Sequence, residues 1–234
     1  MNDLAEAFRT AFELLARRDP ELVEIVALSL RVTGTAIGLA ALLGLPLGAG
    51  LGIARFRGRA LVVAALNAGM GLPPVVVGLA VYLLLSRSGP LGGLGLLFSP
   101  TAMVIAQTVI ALPIVAALTR QVTEDLWTEY GEQLRALGAG LPRAIPTLLV
   151  EGRWALATAL LAAFGRILAE VGAVLVVGGN IAHVSRVMTT AIVLETSRGD
   201  IPLALGLGIL LIGLSLLVSL GVEAIEGTLR RVGA

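Results

Sequence analysis

Apolar runs and short charged segments alternate along this chain, and the runs set its architecture. Five of them are long enough for a membrane-spanning helix, at residues 23–53, 60–85, 101–118, 154–177 and 201–222. A hydrocarbon core about 30 Å thick takes about 20 apolar residues at 1.5 Å each. The first run is longer than that, which predicts a tilted helix or first turns in the interface. Ahead of it, Leu4, Phe8, Phe12 (or Ala11) and Leu15 recur at helical spacing. That predicts a short amphipathic helix on the membrane surface within residues 1–20. The whole, residues 1–234, reads as one all-α integral membrane domain, with a long polar connection at 119–153.

The runs carry irregularities. Gly34, Gly38, Gly44, Gly48 and Gly52 lie mostly four residues apart in the first. Such small residues let helix backbones approach closely in lipid, so a packing seam is expected. Pro73, Pro74 and Pro113 fall inside the second and third runs. Each proline frees a carbonyl that lipid cannot satisfy, so these sites should face protein or a water-filled cavity. Kinks around a shared pathway and kinks for packing alone are both open. Arg31, Arg166 and Glu170 are charged residues inside the runs. Arg166 lies about 18 Å along its helix, near mid-bilayer at 1.5 Å per residue. Arg166 and Glu170 are four apart, so on a continuous helix they can pair on one face. They are candidate pathway or gate residues, with Pro73 and Pro74, or else an internal ion pair that fixes packing.

Composition agrees with the pattern. The chain is 57% hydrophobic and 14% charged, with mean hydropathy +0.95, where soluble domains carry about a quarter charged residues. Cysteine is absent, which rules out thiolate chemistry, and a single histidine, His183, makes a poor metal site; hydrogen bonding or solvation is its expected state. No catalytic residues and no cofactor are called for. All seventeen basic residues are arginine. A Walker A loop needs its lysine, so any ATP used must be bound by another chain. The N-terminus, with Asp3, Glu6 and Glu13, does not read as a signal peptide. Aromatics are 4% and do not interleave with the arginines, which gives no sign of a nucleic-acid surface.

Orientation follows the arginines. Five spans place nine on the side holding 55–59, 120, 135, 143, 153, 230 and 231, and six on the side holding 9, 17, 18, 87, 186 and 198. The N-terminus is therefore expected outside and the connection 119–153 in the cytoplasm. Within it, Tyr130, Leu134, Leu137, Leu141 and Ile145 form an apolar stripe at helical spacing, with Glu132, Gln133, Arg135 and Arg143 opposite. Gly138 and Gly140 permit tight turns, and Pro142 and Pro146 break a long helix. A helix–turn–helix with one apolar face is expected, to lie on lipid or dock in a groove of a partner.

Residues 132–138, Glu-Gln-Leu-Arg-Ala-Leu-Gly, resemble the EAA loop of ABC importer permeases, whose pattern is E-A-A-x3-G-x9-I-x-L-P. Glu132 and Gly138 fall at the required separation; Gln133 and Leu134 replace the alanines and Glu151 replaces the closing proline. The segments 71–92, GLPPVVVGLAVYLLLSRSGPLG, and 164–181, FGRILAEVGAVLVVGGNI, resemble the permeases of molybdate, tungstate and sulfate importers. Residues 185–200, SRVMTTAIVLETSRGD, look most like the tungstate branch. The resemblance implies the type I importer permease fold in the prokaryotic cell membrane. It implies a homodimer of permease chains, two cytoplasmic ATPase chains docked on the EAA loops, and an external binding protein that delivers the oxyanion. It implies coupling roles for Glu132, Gly138, Gly140 and Leu141. The alternative from the residues alone is a secondary transporter or channel driven by an ion gradient, with Arg166 and Glu170 as its relay. An integral membrane enzyme would need clustered His, Asp or Ser that the sequence does not offer.

Overall fold

The computed structural model describes residues 9–10, 12–13 and 19–232. The expected helix over 1–20 lies almost wholly outside them. Every regular element among the described residues is helical. In chain order these are α1 (Pro20–Ile53), α2 (Arg59–Met70), α3 (Pro74–Leu85), a 3-10 turn (Gly92–Leu94), α4 (Pro100–Ala136), α5 (Leu141–Glu151), α6 (Arg153–Leu168), α7 (Gly172–Gly178), α8 (Met188–Arg198) and α9 (Ile201–Val232).

Local chemistry explains where the long helices start. Asp19 precedes Pro20, and its carboxylate accepts the Leu22 N–H at 3.0 Å. Ser99 precedes Pro100 and accepts the Ala102 N–H at 3.4 Å. Asp200, two residues before Pro202, accepts the Leu203 N–H at 3.1 Å. In each case a short oxygen-bearing side chain satisfies an orphan amide, and a proline fits a first-turn position where no N–H partner exists.

Three helices are apolar and long enough to cross a membrane alone, α1, α4 and Ile201–Gly221 of α9. Two bent pairs, α2 with α3 at 99° and α5 with α6 at 74°, raise the number to five if each pair is one span. The second apolar run is thus broken at residues 71–73 rather than kinked. Pro74 opens α3, and Gly71 ends α2 with its N–H on Ala68 O. The run 154–177 is broken too, at residues 169–171, between α6 and α7. The third run reaches far beyond its expected end: α4 continues to Ala136.

Packing divides the chain into two compact units. One holds residues 35–73 and 108–167. In it, α1 lies directly on α4. A Cβ at Gly44 would meet the Val115 side chain at 2.9 Å, one at Gly48 the Ala116 carbonyl oxygen at 2.3 Å, and one at Gly52 Thr123 Oγ1 at 2.3 Å. So the expected glycine seam exists in part; Gly38, in the same unit, has no neighbour within 4 Å. The other unit holds residues 1–34, 74–107 and 168–234. There α8 packs on α9 and α3 on α7. Leu22, Ile25, Met188, Ala191 and Leu207 form its buried cluster. The hydroxyl of buried Ser29 donates to Ile25 O at 2.7 Å and accepts the Met188 N–H at 2.9 Å, fixing the start of α8 against α1.

Candidate functional site

The stretch between α4 and α5 is built as a closed turn. Gly138 has φ +74°, a conformation that costs an L-residue roughly 1–2 kcal/mol and glycine nothing. With Gly138 so placed, the Ala139 N–H reaches Leu134 O at 2.9 Å and the Gly138 N–H reaches Arg135 O at 2.9 Å. This pair of bonds is the Schellman stop, which satisfies carbonyls the helix end leaves free. Two residues on, Gly140 is the N-cap of α5, and its carbonyl accepts the Arg143 and Ala144 N–H groups at 3.0 Å. Pro142 sits in the first turn of α5, where its missing N–H costs nothing.

The apolar stripe is split by this turn. Leu134 and Ile145 pack with Leu126 and Trp127 around buried Ile53, Ala144 and Leu148. Leu137 and Leu141 stay outside, at 83% and 46% exposure. The two helices therefore spend one part of the stripe on their own core and present the other at the tip. Glu132 is exposed on the last turns of α4. Arg135 stacks over the Trp127 ring at 5.2 Å, and Gly131 leaves room for that ring, since a Cβ there would lie 3.1 Å from it. Gly152 ends α5 against Val122 and Leu126, where a Cβ would lie 2.8 and 3.0 Å away. Gly138, Gly140 and Leu141 thus lie in one short turn held by a packed base, with Glu132 on α4 six residues before Gly138.

The other candidates are separate from this turn. Pro74, at the start of α3, and Glu170 converge in the second unit. Gly172 sits against Val75, where an added Cβ would lie 2.4 Å from Val75 Cγ2, and Gly78 sits against the backbone of Ala173. The Glu170 carboxylate, on a residue only 6% exposed, accepts the Gly172 N–H at 2.7 Å and the Ala173 N–H at 3.3 Å. Its main-chain carbonyl accepts the Thr189 hydroxyl at 3.0 Å. Glu170 therefore caps the start of α7 with its side-chain oxygen. α6 ends at Leu168, so Arg166 and Glu170 do not lie on one continuous helix. Arg166 is exposed in the last turn of α6. Pro73 belongs to the break before α3.

His183 lies in the turn between α7 and α8, where its Nδ1 is 2.8 Å from Glu24 Oε2. That hydrogen bond, and then the Glu24 charge, hold its pKa above the ordinary 6.5. Nearby, Arg186 bonds Glu21 at 2.8 Å. Among the described residues no group of three or more His, Asp or Glu stands placed to hold a metal ion. One cluster went unread in the sequence: Arg59, Arg120 and Glu124 meet beside the α1–α2 turn. The four-residue step from Arg120 to Glu124 was the available signal.

A chain of helices with apolar lengths to cross a bilayer, and a capped turn displayed between two of them, is a polytopic membrane protein. No protein-family model matches it. Whole-length relatives do. The chain is 39% identical over 226 residues to the tungstate uptake system permease protein TupB of Peptoclostridium acidaminophilum, covering 97% of this chain and 99% of that one. It is 42% identical over 215 residues to a probable anion ABC transporter permease protein of Haloferax volcanii, covering 89% and 90%. It is 33% identical over 207 residues to the TupB permease protein of Campylobacter jejuni, covering 88% and 87%. The chain belongs to the oxyanion permease family of ABC transporters, which includes these tungstate uptake permeases.

Proposed function

We propose that this chain is the transmembrane subunit of an ATP-driven importer of a tetrahedral oxyanion, tungstate ahead of molybdate and sulfate. Two copies form the pore. A cytoplasmic ATPase chain docks on the turn 137–141 of each copy, and an external binding protein delivers the anion. The N-terminus is outside and the turn is cytoplasmic. Closure of the ATPases moves α5 and switches the cavity between inward- and outward-facing.

The observation that carries this reading is the turn itself. Gly138 and Gly140 close it, the buried Ile53–Ala144–Leu148 base holds it, and Leu137 and Leu141 remain uncovered. Exposed leucines on a rigid tip fit a shallow groove of a protein partner. The absence of lysine from the chain fits a permease that borrows its ATPase. The substrate class rests on the names of the relatives.

Gly138→Asp tests the docking. A Cβ at Gly138 meets nothing within 4 Å, and aspartate tolerates positive φ better than most residues, so the fold survives. The variant should reach the membrane in normal amount, fail to retain the ATPase in a detergent pull-down, and lose uptake. Retention of the ATPase and normal uptake would reject the turn as the docking site.

A further inference from the structure

Beyond the docking turn, the structure holds a three-residue cluster that no part of the proposed function uses. Gly58, with φ +90°, turns the chain back after α1 and serves as the N-cap of α2. That reversal aims Arg59 at the end of α1. Its Nε donates to Leu51 O at 2.9 Å, a carbonyl of the last turn that the ended helix leaves free. Its Nη2 donates to Glu124 Oε1 at 3.0 Å. The other carboxylate oxygen of Glu124 takes the guanidinium of Arg120, one turn earlier on α4. One carboxylate thus bridges two arginines, and one of those arginines also grips the end of α1.

The cluster sits where three elements already touch. Gly52 lies against α4, where its Cβ would be 3.0 Å from Arg120 O and 3.2 Å from Glu124 N. Ile53, the next residue, is buried against Ala144 and Leu148 of α5. A displacement of α5 therefore bears directly on the end of α1. Arg59 and Glu124 carry it further, across the turn into the start of α2, which has no buried residue; the other close approach of α2 to α4 is at its far end, where a Cβ at Gly69 would lie 2.9 Å from Pro113.

Stability is a poor reason for this arrangement. The side chains of Arg59 and Glu124 are 27% and 41% exposed, and pairs so placed contribute little. What a forked carboxylate between two guanidiniums gives is a fixed spacing. We propose that Glu124 is a positioning residue, which with Arg59 and Arg120 ties the α1–α2 turn to α4 beside the Ile53 contact with α5, so that movement of α5 reaches α2. This rests on the ATP-driven reading above and specifies where, within the permease, the movement goes.

The test is the number of oxyanions imported per ATP hydrolysed, in proteoliposomes holding the permease with its ATPase and binding protein, supplied with tungstate. Glu124→Gln should assemble with the ATPase and hydrolyse ATP, while uptake per ATP falls on the order of tenfold, within the span of coupling energies between sites. Arg59→Gln breaks only the half that reaches α2, and should show the same loss with the Arg120–Glu124 pair left in place; it also serves if Glu124→Gln does not fold. Uptake per ATP equal to wild type in Arg59→Gln would overturn the proposal. So would loss of assembly and uptake in parallel in both variants, since that is a structural role alone. A wild type that shows no ATP-driven uptake would instead reject the importer reading, so the two failures are separable.

Discussion

Glu170 shows how a single side chain changes meaning between sequence and structure. In the sequence it is a charge four residues from Arg166 inside an apolar run. In the structure its carboxylate receives two amides at the start of α7. Glu170→Leu removes the one oxygen that accepts both amides and should lower stability by about 0.5–2 kcal/mol, the usual cost of losing such a cap. Glu170→Gln keeps one acceptor oxygen and should lose less; thermal unfolding in detergent gives both values. At the other charged contact, the hydrogen bond to Glu24, and then its charge, raise the pKa of His183. Its folded pKa lies above the unfolded one, so the contact contributes fully below pH 6.5 and is lost as pH rises through the raised value. A titration by NMR should place His183 above 6.5, and Glu24→Gln should bring it back down. An unchanged value in that variant would remove Glu24 as the cause.

At the scale of elements, the glycines of α1 separate by what faces them. A methyl at Gly48 runs into the Ala116 carbonyl, whereas one at Gly38 meets open space. Gly48→Ala should cost about 1–3 kcal/mol by overpacking. Gly38→Ala should be neutral or gain up to about 1 kcal/mol from helix propensity. Equal effects at the two sites would show that α1 does not lie on α4 through Gly48. These elements also show what the sequence carried. The apolar lengths located α1, α4 and α9, because a helix in lipid must satisfy its backbone internally and so needs a continuous run. The starts of these helices were also legible, in Asp19-Pro20, Ser99-Pro100 and Asp200-Ile201-Pro202, had they been read as caps. The breaks were not. Pro73 and Pro74 read as a kink and Glu170 as a charge on a continuous helix, and neither signal distinguishes a bend from the end of one helix and the start of another. The turn at 137–140 was legible from its glycines, but the division of its stripe was not. Which leucines go to the core depends on Ile53, far away in the chain.

At the scale of the whole molecule, a helical scaffold is joined to a transport role. The family is set by relatives that match nearly end to end. The coupling turn, the orientation and the dimer are this chain's own proposed machinery. They require that energy enter at Leu137–Leu141 and that a partner chain supply it. The measurement that tests this most directly is tungstate uptake into proteoliposomes containing the permease, its ATPase and its binding protein. Uptake should appear only with ATP and the ATPase present, persist when ion gradients are collapsed, and vanish in Gly138→Asp. Uptake by the permease alone, driven by a proton or sodium gradient without the ATPase, would contradict the account.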